Sequence, residues 1–340
     1  MIRLSRVLTL GFALLGLSVS AVAQSYHIVR SDTLGGDGGW DYVALDTAGH
    51  RLFIARSDRV MVVDPASGKL LAEIPGLNRA HGIAFAYAAG HGFATSGGDS
   101  AVLMFDLKTL HVLGRTTAAP DADAILFDPA TKRIFTFNGD SRNSSVIDAV
   151  TGQKVGTVDL GAAPEFGVST GDGTLYVNLE DSSAVAEIDP VAMKVTRRWS
   201  LAPCQSPTGL AIDRAHHRLF SGCRNQVMAI SDATAGKLLA TVPIGQGVDA
   251  CRFDAGSQLA FASNGDGTLT VVHEDAPDSY RVVANVPTRR GARTMELDEQ
   301  THRLYTVTAD FGPPPAPTPD RPRPRPPILP GTFAVLILEP

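Results

Sequence analysis

Seven residues recur at intervals of 40 to 44 along the chain, each five residues before the end of an apolar run. All are polar, and His81, Asp123 and Glu165 offer the imidazole and carboxylate groups that hold a divalent cation or perform acid–base chemistry. If the chain closes into a ring, Arg293 falls between two carboxylates and neutralises both. The full set is Asp41, His81, Asp123, Glu165, Thr208, Asp249 and Arg293.

Two interpretations of these residues remain open. Asp and Thr often bond to turn amides at strand ends, which would make the set structural. Turn bonding does not explain why Arg293 and His81 occupy these positions. Their presence favours the second interpretation, a ring with a function. In that case Trp40 and Phe166 supply apolar walls for a small ligand. We therefore predict a ligand site formed by Trp40, Asp41, His81, Asp123, Glu165, Asp249 and Arg293.

A second layer of polar residues is expected around this site. Loops that follow the second strand of each repeat open on the same side of the molecule. The polar residues in these loops are Arg56, Asn138, Asn178, Glu180, Asn264 and Asp310.

The elements that position the ring are seven repeats. An aromatic residue after a turn, first Phe53 and last Tyr305, recurs every 40 to 44 residues. Each copy contains four short β-branched runs separated by Gly, Pro, Asp or Asn, which predicts a four-stranded antiparallel meander. Seven such copies predict an all-β, seven-bladed β-propeller, in which the first strand of each blade lines the channel.

The last repeat lacks a fourth strand. Residues 26–30 resemble residues 280–284, the fourth strand of the sixth repeat. We therefore predict that the N-terminal strand completes the last blade, which closes the ring and removes an exposed edge.

A proline-rich insertion at 311–331 interrupts the last repeat. Prolines this dense favour polyproline II and exclude a strand ladder. The insertion lies between two strands of one blade, so it sits over one face of the disc. It is either a semi-rigid strap at the channel mouth or a disordered loop.

The N-terminus predicts export. Arg3 and Arg6 precede an apolar run that ends in Ala21-Val22-Ala23, the pattern of a signal peptide. The run is shorter than the roughly 20 apolar residues of a membrane anchor. We predict a signal peptide over 1–23 cleaved after Ala23, a periplasmic location, and one propeller domain over 24–340 without membrane insertion.

Composition and cysteines limit the partners and sites. A net charge of −5 argues against nucleic acid, which requires clustered Lys and Arg. We expect a monomer whose partner is a small molecule or a periplasmic protein or peptide. Cys204 and Cys223 lie at one end of the fifth blade and predict a disulfide in an oxidising compartment. Cys251 is predicted to be a buried apolar residue.

Familiar catalytic motifs give no support for an enzyme. The sequence contains no His-Glu-x-x-His or Cys-x-x-Cys-His. Residues 167–171 match Gly-x-Ser-x-Gly, but they end the first strand of the fourth repeat and do not lead into a helix, so the sequence offers no recognised catalytic residue. The glycine-rich segment 35–39 lacks the Lys and the helix of a phosphate loop.

Several segments resemble a known family. The pattern Asp-x-x-x-x-Arg-Leu-Phe, as at Asp46 to Phe53, is similar to the YVTN repeats of YncE-like propellers. Further similar stretches are 38–43, 164–166, 201–204, 291–295 and 311–319. The resemblance implies an exported seven-bladed propeller, and the branch that gives the family its name is linked to DNA binding. More distant propellers, the gluconolactonases and streptogramin lyases, hold a divalent metal at the channel mouth.

Three hypotheses for function follow. The first is a periplasmic binding or scaffold protein that takes a small-molecule or peptide ligand at the channel mouth. The second is a metal-dependent lactonase or lyase in which Ca²⁺, Mg²⁺ or Zn²⁺ is held by His81, Asp123 and Glu165. The third, DNA binding, is disfavoured by the acidic composition.

Overall fold

The seven repeats build seven four-stranded antiparallel sheets, as predicted. The computed structural model of the protein describes residues 26–318 and 324–340. The predicted signal peptide over 1–23 lies outside the described residues. Within them the chain forms strands β1 to β28 and two short 3₁₀ helices, Tyr87–Ala89 and Gly97–Asp99, and no α-helix. None of these helices has the length and apolarity to cross a membrane.

The first four blades follow one another in the chain. Blade one contains β2 (Val43–Asp46), β3 (Arg51–Arg56), β4 (Arg59–Val63) and β5 (Leu70–Pro75). Blade two contains β6 (Ala80–Ala86), β7 (His91–Ser96), β8 (Ala101–Asp106) and β9 (Val112–Thr117). Blade three contains β10 (Ala122–Asp128), β11 (Arg133–Asn138), β12 (Asn143–Asp148) and β13 (Lys154–Asp159). Blade four contains β14 (Pro164–Ser169), β15 (Leu175–Leu179), β16 (Ala184–Asp189) and β17 (Lys194–Ser200).

The remaining blades include both ends of the described chain. Blade five contains β18 (Pro207–Asp213), β19 (Arg218–Cys223), β20 (Val227–Asp232) and β21 (Lys237–Pro243). Blade six contains β22 (Val248–Asp254), β23 (Leu259–Asn264), β24 (Thr268–Ala276) and β25 (Ser279–Pro287). Blade seven contains β26 (Met295–Asp298), β27 (Arg303–Thr308), β28 (Ala334–Glu339) and β1 (His27–Thr33).

The outer strand of blade seven comes from the start of the described chain. β1 pairs antiparallel with β28, with His27 opposite Glu339 and Thr33 opposite Ala334. Tyr26, just before β1, is buried against Phe261 of blade six, with ring centres 4.9 Å apart. Both ends of the described chain therefore contribute to one sheet.

Aromatic side chains of the second strands fill the space between blades. Phe53, Phe135, Phe220 and Phe261 are fully buried, each in a cluster that joins neighbouring sheets. Alternation of side chains along a strand directs residues to both faces of a sheet, and both faces are covered here. The first strands pack against one another around the channel.

Both cysteine predictions are confirmed. Cys204 and Cys223 form a disulfide with their Cα atoms 5.6 Å apart. Cys251 is free and buried on β22, and burial raises the pKa of its thiol to about 12. The thiol is therefore an apolar packing group and not a nucleophile.

Candidate functional site

Three ring residues from blades one to three converge at one mouth of the channel. Nδ1 of His81 shares a hydrogen bond with the Asp41 carboxylate and lies 3.5 Å from Oδ1 of Asp123. Each residue offers one ligand atom, and these atoms lie within 4.8 Å of one another. Oδ1 of Asp123 is buried and accepts no hydrogen bond. We call Asp41, His81 and Asp123 the mouth cluster, and its donor set fits a divalent cation.

Arg293 lies between Asp249 and Asp41, as the register predicts. Its guanidinium is 3.6 Å from Asp249 and 3.9 Å from Asp41. The charge of Asp249 is the main reason that the pKa of Arg293 is raised. The arginine therefore neutralises part of the negative charge of the ring.

The two remaining ring residues have other partners. Glu165 lies outside the mouth cluster, 3.8 Å from Arg224, which also contacts Glu180 at 2.8 Å. Thr208 is buried, and its hydroxyl donates to the carbonyl of Val248 at 3.0 Å. Thr208 therefore joins blade five to blade six and does not face a ligand.

Burial makes ionisation of the ring carboxyl groups unfavourable. It raises the pKa of Asp123 to about 7, with the charge of Asp41 as the next cause. It also raises the pKa of Asp249 to about 6 and that of Glu165 well above its ordinary value. Burial lowers the pKa of His81, but its hydrogen bond to Asp41 and the acidic neighbours outweigh this effect and raise it. The ring therefore favours either bound protons or a bound cation.

A layer of side chains lines the channel beneath the ring. Arg252 forms a bidentate pair with Glu296, at 2.7 and 3.1 Å, and lies 4.9 Å from the Phe166 ring centre. Phe166 packs against Tyr42 with ring centres 5.5 Å apart. Phe166 therefore lines the channel, where a cavity of about 260 Å³ lies.

A larger cavity of about 390 Å³ lies beside the ring under the proline-rich insertion. We call it the strap cavity. Phe311 and Ile328 form a β-bridge that fixes the two ends of the insertion over the mouth. Trp40 packs between Phe311 and Phe333, with ring centres 6.1 and 5.4 Å away. The side chains around the cavity are those of Trp40, Arg290, Arg293, Phe311, Arg325, Pro326 and Ile328.

Five of these seven residues were missed from sequence: Arg290, Phe311, Arg325, Pro326 and Ile328. None of them occupies a repeated ring position, so the spacing gives no signal for them. The only sequence signal is that all of them except Arg290 lie within the insertion.

Four of the six predicted second-layer residues lie within the second strands and not in the loops after them. Arg56, Asn138, Asn178 and Asn264 are fully buried at the ends of second strands. Their polar groups form hydrogen bonds inside the protein. Asn178, for example, donates to the carbonyls of Thr208 and Gly209 at 3.0 Å. Glu180 and Asp310 lie near the surface and pair with arginines.

Comparison with known proteins confirms the predicted resemblance over part of the chain. The chain is 31% identical over 148 residues to the uncharacterized protein YncE of Salmonella typhimurium. It is 30% identical over 148 residues to YncE of Salmonella typhi. In each case the match spans 42% of this chain and 42% of the relative. No protein-family model matches the chain.

Solved structures show the same fold at low identity. U3-55K superposes with a TM-score of 0.74 at 10% identity, covering 92% of this chain and 98% of that chain. The RRP9 WD40 repeats superpose with a TM-score of 0.74 at 11% identity, covering 92% and 97%. At identities this low, the superpositions show only that the fold is shared. The protein is a seven-bladed β-propeller, and part of its sequence is similar to YncE-like proteins.

Proposed function

We propose that the protein is a binding propeller that takes a small carboxylate-bearing molecule in the strap cavity at the channel mouth. One observation carries the proposal: three guanidinium groups and two aromatic rings surround a single cavity of about 390 Å³. This volume is within the range of small-molecule sites. Aromatic walls favour a flat or apolar ligand body, and arginines favour a carboxylate.

The cavity has more donors than acceptors. In the described part of the chain, neither Arg290 nor Arg325 pairs with a carboxylate, whereas the adjacent Arg289 pairs with Asp310 at 2.6 Å. Arg290 lies 5.8 Å from the centre of the Phe311 ring. Nε1 of Trp40 is buried and donates no hydrogen bond. An anionic ligand group would satisfy these donors.

Arg293 connects the cavity to the acidic ring. It lines the strap cavity and also contacts Asp249 and Asp41. A ligand carboxylate near Arg293 therefore also approaches the mouth cluster. This contact supports a ligand with a carboxylate at one end and an apolar body beneath the insertion.

The test compares a carboxylate with its neutral counterpart. 4-Phenylbutyrate and 4-phenylbutanamide, followed by a panel of aromatic carboxylates and their amides, are titrated calorimetrically. We expect the carboxylates to bind at least about tenfold more tightly, the effect of one charged hydrogen bond. The Arg290→Gln, Arg325→Gln double variant should lose this preference, and Arg289→Gln, next in the chain, should keep it. Equal binding of acids and amides contradicts the proposal.

A second candidate function is metal-dependent hydrolysis of a lactone or a related lyase reaction. The unpartnered Asp123 oxygen beside His81 and Asp41 favours it. A divalent cation bound there would polarise a substrate carbonyl. A ring carboxylate that does not bind the cation would move the proton.

Metal content tests this second candidate. Elemental mass spectrometry of purified protein should find a divalent metal that EDTA removes. Asp123→Asn should lower the metal content by about one equivalent per chain, and Glu165→Gln, which changes a ring carboxylate outside the mouth cluster, is the matched control. If Asp123→Asn holds as much metal as Glu165→Gln after incubation with excess Ca²⁺, Mg²⁺ and Zn²⁺, the candidate is contradicted.

The proposed location is the periplasm, reached by cleavage after Ala23. The Cys204–Cys223 disulfide supports it, because disulfides persist in oxidising compartments. N-terminal sequencing of protein from an osmotic-shock fraction should begin at Gln24. Recovery only from the cytoplasmic fraction contradicts it.

A further inference from the structure

A second group of metal-ligating side chains lies on the opposite face of the disc. Asp213 is at the far end of β18 from Thr208, so roughly 17 Å of strand separates this group from the ring. Asp213 and His216 belong to blade five, and Glu274 is on β24 of blade six. Nδ1 of His216 is 2.5 Å from Asp213 and 3.8 Å from Glu274.

Glu274 is buried without a donor. Its side chain is 1% exposed, and neither carboxylate oxygen accepts a hydrogen bond. Arg218 is the arginine whose charge acts on Glu274, but its N–H groups have other partners. They donate to the carbonyls of Pro277 and His216 at 2.8 Å and pair with Asp278 at 3.1 Å and Asp232 at 3.4 Å. A buried carboxylate without partners costs several kcal/mol of folding free energy unless something neutralises it.

The other blades show that a carboxylate at this position is unusual. The register of β23 and β24 places Glu274 one residue beyond the position of Asp232, where blade five has Ala233. Blades two and three have Leu107 and Ala149 at this position. All three of these apolar residues are buried.

β24 of blade six continues past Glu274 to Ala276, and β25 begins at Ser279. Blade six therefore has a carboxylate where other blades bury an apolar side chain, and this carboxylate lies beside Asp213 and His216 of blade five.

His216 also departs from the repeat. In blades three, six and seven, a Thr or Ser hydroxyl donates to the strand-ending Asp from three residues later. Blade five has an imidazole there. A second imidazole–carboxylate pair on this face, His302 with Asp254 at 2.6 Å, is not part of a three-ligand group in the described chain. It provides an internal control.

We infer that Asp213, His216 and Glu274 bind a divalent transition-metal ion, of which Zn²⁺ is the best match, and thereby join blade five to blade six. One imidazole and two carboxylates are ligands that Zn²⁺ accepts, and two negative charges balance the ion. A tetrahedral site with bonds of about 2 Å has ligand separations of roughly 3.3 Å. The separations of 2.5 and 3.8 Å lie on either side of that value. This inference does not depend on the proposed function of the channel mouth.

The test uses zinc alone and removes the mouth cluster first. EDTA-treated protein carrying Asp123→Asn is titrated calorimetrically with Zn²⁺, and thermal unfolding is followed with and without zinc. We expect one site and a raised unfolding temperature, because the ion binds only the folded state. Glu274→Gln and His216→Gln should each weaken zinc binding at least about tenfold. His302→Gln should leave it unchanged.

Two results would overturn the inference. One is that the Asp123→Asn protein binds no zinc at millimolar concentration. The other is that His216→Gln binds zinc as tightly as its parent. His216 is 39% exposed, so its substitution tests the site without disturbing the interior, even if Glu274→Gln folds poorly.

Discussion

The guanidinium of Arg56 lies 3.7 Å from the centre of the Phe333 ring, and both side chains are buried. In the described chain no carboxylate bonds to Arg56. Its N–H groups donate to main-chain carbonyls of segment 35–39, the shortest bonds being 3.0 Å to Asp37 and Gly39. Burial lowers its pKa to about 10, so it stays charged at neutral pH. One arginine thus holds the glycine-rich segment that precedes Trp40.

Arg56→Lys is therefore expected to destabilise the protein by about 2–4 kcal/mol, because a lysine lacks the planar fork that reaches several carbonyls. Urea unfolding measures the loss. Arg281→Lys is the control, since its side chain is 56% exposed and its partner Asp275 is 36% exposed. It should cost less than about 1 kcal/mol. Equal losses for the two variants would show that Arg56 does not hold the segment.

Loss of the disulfide should also be measurable. Cys204 and Cys223 are 19 residues apart in sequence. Closing a loop of this length stabilises a protein by about 3 kcal/mol on the chain-entropy model. The Cys204→Ser, Cys223→Ser variant should lose this amount in urea unfolding, and dithiothreitol should lower wild type to the level of the variant. The prediction fails if reductant leaves wild type unchanged while its thiols titrate as free.

Removal of β1 should expose an edge. Deleting 27–33 removes every partner of β28 on that side. An unpaired edge strand is a template for aggregation, so we expect loss of cooperative unfolding and concentration-dependent aggregation. Light scattering and urea unfolding measure both effects. Val29→Ser is the control, because Val29 is 43% exposed at a bulge and should change stability by less than about 0.5 kcal/mol. A deletion variant that unfolds like Val29→Ser would contradict the prediction.

A pH dependence is predicted for Glu165→Gln. Burial, Asp123 and Glu180 raise the pKa of Glu165 above its ordinary value of 4.5. The folded state therefore keeps a proton that the unfolded state releases, so wild-type stability falls as the pH rises above that value. The variant should gain about 1–3 kcal/mol over wild type near pH 8 and little near pH 4, measured by urea unfolding in EDTA. Glu73→Gln removes an exposed carboxylate and is the control. A gain that does not change with pH would contradict the assignment.

The blades were predictable because residues that repeat every 40 to 44 positions lie at equivalent places in successive strands. The same register placed Arg293 beside Asp249, since strand position fixes the start of a side chain. Strand position does not fix the direction that the far end of a long side chain takes. Glu165 turns towards Arg224, so Asp41 takes the place predicted for Glu165 in the cluster.

The repeat pattern could not predict two features, the burial of the second-strand residues and the strap cavity. Asn178 and Glu180 are two residues apart, yet one bonds to the interior and the other lies near the surface. The difference arises because Asn178 is buried and Glu180 is not, and the burial of a single side chain cannot be read from one sequence. Arg290 lies in a connection between blades, outside the repeated positions, so its arrangement around the cavity required coordinates.

Arg293→Gln would leave Asp41 and Asp249 without their shared cation. Burial raises the pKa of Asp249 to about 6 even while the charge of Arg293 lowers it, so the pKa should rise further in the variant. A carboxyl group with a raised pKa contributes stability below its unfolded value of about 3.8, and that stability is lost as the pH rises. The variant should match wild type near pH 4 and fall about 1–3 kcal/mol below it by pH 8.

Urea unfolding across this range in EDTA measures the divergence of Arg293→Gln from wild type. Arg289→Gln is the matched control, because its partner Asp310 is 59% exposed and an exposed pair contributes little at any pH. If Arg293→Gln follows wild type at every pH, the ring carboxylates are neutralised by another group. A bound proton or cation at the mouth cluster would then have to balance Asp41 and Asp249. If the variant diverges only above about pH 6, Arg293 is the cation that allows Asp249 to ionise within the channel mouth.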